Sequence, residues 1–176
     1  MVKGLSTPRG VASLGLLAAA GLALFVLESL VPMPLPFLKI GLANVATLLA
    51  LLLFGPAEAV LVALVRIVAG SLLTGTLLSP AFLLALAGGT GAALAMAAAH
   101  RAAGSALGPV GLSLLGSTTH VGAQFLVVRY LYVGTDAVAS LVPFLLLTAL
   151  VGGGVVGIVA WRVLRALPQR DTEGRP

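Results

Sequence analysis

Arg66 stands inside an apolar run, with Gly70, Ser71 and Thr74 one to two helical turns beyond it. A guanidinium at that depth of a hydrocarbon-length helix costs several kcal/mol unless it faces protein or water. Its planar fork suits a carboxylate or a phosphate, which makes Arg66 a candidate anion-binding or hydrogen-bonding group for a solute. The alternative at this stage is a purely structural bridge to Glu28 or to helix carbonyls. Lys39 and Asn44 stand at the start of the preceding apolar run. Lys39 can attract an anionic solute or snorkel to lipid headgroups, whereas Asn44 lies deeper. His120 and Gln124 are four residues apart and share a helical face, with Thr118 and Thr119 beside them. They read as a polar wall of the same pocket, against the plainer reading of hydrogen bonds between helices. A metal is not expected, because His120 has no second histidine at ligand spacing.

The elements that must position these groups are membrane helices. Of 176 residues, 60% are hydrophobic and 9% charged, where a soluble domain carries about 25% charged residues. Six apolar segments can be drawn, at 11–31, 40–54, 57–76, 80–99, 109–133 and 138–165, separated by short breaks containing Pro or Gly. The fold class expected is an all-α integral membrane protein, a six-transmembrane-helix bundle over residues 11–165. Residues 1–10 and 166–176 are then short cytoplasmic tails. The run from Val11 to Val31 is too long for the apolar core of a secretory signal. The second segment rises only about 22 Å, short of the roughly 30 Å hydrocarbon core, so it is expected to border a cavity and to act as a lid or gate. Gly15, Ala19 and Ala23 on the first helix, and Gly88, Gly89 and Gly91 on the fourth, are expected close-packing faces. The glycines at 152, 153, 154 and 157 predict either close packing or a flexible point in the sixth helix.

The cations set an orientation. With the N-terminus inside, Lys3, Arg9, Arg101, Arg162, Arg165, Arg170 and Arg175 fall on the inner side and only Lys39 on the outer. Both termini are therefore expected in the cytoplasm, with the chain in the cell membrane. The net charge of +5 is a topology signal and not a nucleic-acid footprint. Counted along their helices, Glu28, Lys39, Asn44, Arg66, His120, Gln124 and Arg129 all fall at the midplane or in the outer half. The inner half is almost entirely Leu, Ala, Val and Gly. That asymmetry predicts a polar pocket open to the outside and closed below. Glu58, at the inner start of the third helix, complements the helix dipole.

Two absences bound the chemistry. No G-x-x-x-x-G-K-[ST] occurs, so the chain carries no P-loop of its own. The only aspartates are Asp136 and Asp171, which form no pair to hold magnesium against a diphosphate. With no cysteine, thiolate sites and disulfides are excluded as well.

Lys39-x-Gly41-Leu42-Ala43-Asn44, Arg66, Gly70-Ser71, Gly75-Thr76, Ser79-Pro80-Ala81-Phe82, Ala87-Gly88-Gly89 and His120-x-x-x-Gln124 together resemble the Gx transporter family, formerly annotated heptaprenyl diphosphate synthase component I. The resemblance covers about residues 10–165, and the 39–89 block is its most specific part. That family is similar to the S components of energy-coupling factor transporters, six-helix bundles that capture a small solute from outside. The resemblance implies Arg66, Asn44, His120 and Gln124 around the solute, Glu28 and Lys39 at the mouth, and no cofactor. It implies an energy-coupling transmembrane protein and two ATPases as partners, docking on Gly15, Ala19 and Ala23. It hints at a flavin-, quinone- or vitamin-related solute, and it does not imply an enzyme. The rival reading is a non-transporting membrane subunit of a quinone, prenyl or flavin-linked redox system. An open cavity around Arg66 favours transport, and a collapsed Arg66–Glu28 pair favours the rival.

Overall fold

The computed structural model describes residues 7–31, 41–133 and 140–167. They form six helices: α1 (Pro8–Leu30), α2 (Asn44–Leu53), α3 (Pro56–Leu73), α4 (Pro80–Ala103), α5 (Pro109–Val127) and α6 (Val142–Ala166). Proline near the first helical position starts α1, α3, α4, α5 and α6, where its missing N–H costs nothing. Thr7 and Ser79 cap α1 and α4 through their hydroxyls, accepting from the amides of Gly10 and Phe82. Between α2 and α3, Gly55 takes a φ of 140°, which only glycine adopts without strain. Glu58 lies in the first turn of α3, where its charge suits the helix dipole. Beyond α5 the chain continues as a π-helical stretch, Val128–Val133.

Helices α1, α3, α4 and α6 are each long and apolar enough to cross a membrane. The other two expected spans differ. α2 has only ten residues, and α5 carries serines, threonines, His120 and Gln124, which lower its hydropathy. The chain is a multi-pass membrane protein.

α4 packs along both α3 and α5, α5 also along α6, and α1 along α3, while α2 touches every other helix. Its residues Val45 to Leu51 are all buried, with Leu48 and Ala50 fully so. The expectation that α2 is a lid is therefore corrected. It is a central strut, short because it is enclosed by protein and need not span lipid on its own.

Close packing is placed by glycines, but not by all of those expected. A Cβ added at Gly21 would lie 2.9 Å from Ala46 Cβ, so α1 crosses α2 there. Gly70 abuts the Phe25 ring and Gly153 abuts Ser117. A Cβ at Gly157 would come within 2.6 Å of Val110 Cα, so Gly153 and Gly157 serve packing whereas Gly154 meets nothing within 4 Å, and α6 stays helical throughout. The Gly15, Ala19 and Ala23 face is the exception. All three are exposed among the described residues, because α1 buries the opposite stripe of Gly10, Leu14, Gly21, Phe25 and Glu28.

The apolar core gathers at one end of the bundle. Leu14 of α1, Leu48 and Leu51 of α2, Met96 and Ala97 of α4, Leu112 of α5 and Ala160 of α6 form it. At the other end stand the polar residues of the next section. Arg165 lies over the Trp161 ring at 3.9 Å at the apolar end, and Arg129 over Tyr130 at 6.0 Å at the polar end. Aromatic–cation pairs of this kind suit the two membrane–water interfaces.

Candidate functional site

Three helices bring the polar groups together. α2 starts at Asn44, where Gly41 takes a positive φ of 82° and its carbonyl accepts from the Asn44 amide at 2.8 Å. That turn aims the Asn44 side chain at α3. Its Oδ1 accepts from Arg66 NH2 at 2.8 Å. Arg66 is only 4% exposed, and its Nε has no protein partner. Glu28 also comes to this end of the bundle, but it does not bridge to Arg66. Its Oε1 accepts the Leu42 amide at 2.7 Å, and Oε2 lies 3.5 Å from the Ala43 amide. The carboxylate thus ties the C-terminal end of α1 to the amides that open α2, a favourable place for negative charge. Among the described residues Arg66 bridges neither to Glu28 nor to a helix carbonyl, and its hydrogen bond goes to Asn44.

α4 stands between Arg66 and His120 and is bare where they meet it. A Cβ on Gly88 would lie 2.7 Å from His120 Nε2 and 3.0 Å from Gln124 Cγ. A Cβ on its neighbour Gly89 would lie 3.6 Å from Arg66 NH2. Consecutive glycines thus put Arg66 and His120 at one level of the bundle. Gln124 is buried and donates from Nε2 to the Leu84 carbonyl at 3.4 Å.

These groups border one cavity of about 320 Å³, at the lower end of small-molecule sites. Of the six residues expected at the site, Glu28, Asn44, Arg66, His120 and Gln124 line it. Lys39 lies outside the described residues. Thr118 and Thr119 were expected in the wall and are not in it. Their hydroxyls turn back to the Leu114 and Leu115 carbonyls of their own helix. Ser113 and Ser117 line the cavity in their place. The signal for them was periodicity: 113, 117, 120 and 124 are spaced four, three and four apart, one continuous stripe of α5. Thr74, Thr76 and Thr148 also reach the cavity, and its remaining wall is largely apolar, including Met96, Leu145, Ala149 and Val156.

The comparisons with known proteins agree with this architecture. One solved structure, described as the structure and mechanism of the S component of a bacterial ECF transporter, superposes with a TM-score of 0.64. The two share 16% identity over 89% of this chain and 95% of that one, so the likeness is one of fold. No curated protein matches the chain by sequence. The family model described as heptaprenyl diphosphate synthase component I matches residues 17–163, from the middle of α1 to the last turn of α6. With an S-component fold and a family match over nearly the whole helical region, the chain belongs to the heptaprenyl diphosphate synthase component I family, the former name of the Gx transporters.

Proposed function

We propose that this protein is the solute-binding membrane component of an uptake system and not an enzyme. It would capture a small molecule from the outer face in the cavity around Arg66, with Asn44, His120 and Gln124 as further contacts and Glu28 and Lys39 at the mouth. The observation that carries this reading is a cavity of about 320 Å³ beside a buried guanidinium that is held by Asn44 and not spent on Glu28. A buried charge without an ion-pair partner is expensive, and a site that meets it only when loaded explains its retention. The apolar core lies at the opposite end of the bundle, which supports capture from one side.

The chain carries no P-loop, so ATP-driven delivery would need an energising partner. The S-component fold of the solved relative supports a coupling membrane protein with ATPases in that role. The exposed Gly15, Ala19 and Ala23 face is free for such a partner, since small residues allow close helix approach in lipid. Orientation follows the positive-inside pattern, with both termini in the cytoplasm. Purification from native membranes in mild detergent should recover ATPase partners. Repeated recovery of the chain alone would argue against the partnered reading and for the rival, a membrane subunit of a quinone, prenyl or flavin-linked redox system.

A further inference from the structure

The cavity has two parts. Its polar level is set by Arg66 and His120 on either side of Gly88 and Gly89. From there it continues between α4, α5 and α6 to Met96 and Ser113. Gly89 to Met96 on α4 and His120 to Ser113 on α5 are each seven residues (96 − 89 and 120 − 113). At 1.5 Å per residue, both helices give this lower chamber a length of about 10 Å. Its walls are Ala92, Met96, Ser117, Gly153 and Val156, with the buried Ser113 at the floor.

Charge narrows the head group. Arg66 is the only lysine or arginine among the described residues that line the cavity, and Glu28 is the only carboxylate. Asn44 occupies one terminal guanidinium nitrogen, and the other is neither bonded nor sealed off as Nε is, so one anionic group has a donor waiting. A single negative charge is matched by Arg66. A phosphate monoester brings about −1.5 to −2, and a diphosphate more, beside Glu28, the one carboxylate of the described lining. Surplus buried charge of that kind is costly. Heptaprenyl diphosphate, the compound in the family's name, exceeds both limits: its chain is several times longer than the chamber, and its head carries several negative charges against the one arginine of the described lining.

Resting on the solute-pocket reading, we infer that the solute is an amphiphilic monocarboxylate, its carboxylate on Arg66 and an apolar body about 10 Å long reaching toward Ser113. An extended eight-carbon chain is about this length, which makes octanoate a suitable probe.

The test uses the full chain in lipid nanodiscs, with heats of binding corrected for empty nanodiscs. Octanoate should bind at least tenfold more tightly than octanamide, octyl phosphate or geranyl diphosphate, and more tightly than butanoate or tetradecanoate. Arg66→Met should remove the preference for the carboxylate over the amide. Ala92→Leu leaves Arg66 intact and narrows the chamber, so it should shift the chain-length optimum to a shorter acid, which keeps the test decisive if the Arg66 variant does not fold. Equal or tighter binding of octyl phosphate or geranyl diphosphate would overturn the head group. No optimum along the chain-length series would overturn the chamber. Absence of binding by every probe would overturn the solute class. The pocket reading fails separately, if a small molecule that co-purifies with the native protein is retained by Arg66→Met.

Discussion

Replacing Glu28 by Gln tests the joint between α1 and α2 and has a magnitude that can be worked from the structure. The Glu28 carboxylate accepts the Leu42 amide at 2.7 Å, while the 3.5 Å contact to the Ala43 amide is too long to contribute much. A hydrogen bond to a charged acceptor contributes about 1.5–3 kcal/mol, and a neutral one about 0.5–1.5 kcal/mol. Glutamine keeps a carbonyl acceptor, so the short bond loses about 1 kcal/mol. Loss of the negative charge at the start of α2 removes about 0.3–1 kcal/mol more. The joint should therefore open more readily by about 1.5–2 kcal/mol, a factor of about 10–30. Hydrogen exchange read by mass spectrometry on peptides spanning 41–46 should show that acceleration, with the central amides of α4 unchanged. Unchanged protection of the Leu42 amide would refute the reasoning. So would an equal loss of protection along α3 around Arg66, since that pattern belongs to a broken Glu28–Arg66 pair.

Other expectations follow from single contacts. Asn44→Leu removes the acceptor of a buried guanidinium nitrogen and should destabilise the fold by about 1–3 kcal/mol, read by thermal unfolding followed by circular dichroism. Gly88→Ala would force its methyl to 2.7 Å from His120 Nε2, whereas Gly91→Ala meets nothing closer than 3.5 Å. The first should weaken solute binding at least tenfold. The second should be neutral or stabilising by up to about 1 kcal/mol, as glycine is a poor helix former. Because the chain has no cysteine, single introduced cysteines report topology cleanly. An impermeant maleimide added to intact cells should label Leu78→Cys and spare Arg101→Cys, and the reverse pattern would invert the orientation.

Much of the architecture was legible in the sequence because membrane helices leave few choices. Proline at Pro56, Pro80 and Pro109 marked three helix starts to within a residue. Depth counting along the helices already put Arg66 and His120 together at the midplane or above it, and the glycine pair of α4 brings them to one level. What stayed hidden depended on rotation about helix axes and on backbone partners. Glu28 looked like a partner for Arg66, because side-chain charge is visible in a sequence and a free amide at Leu42 is not. Thr118 and Thr119 drew attention as neighbours of His120, whereas the stripe that faces inward is 113, 117, 120 and 124. The Gly15 stripe has the same four-residue spacing as a packing face, yet rotation of α1 leaves it outside. The apolar lower chamber carried no signal, since Ala92, Met96 and Val156 look alike whether they face lipid, core or solute.

The central claim is that Arg66 meets a solute. Mass spectrometry of small molecules released from the protein, purified from its native membrane in mild detergent, tests it most directly. The wild-type chain should carry a stoichiometric small molecule that Arg66→Met, folded by circular dichroism, lacks. Recovery of the same molecule in equal amount from both proteins would contradict the account.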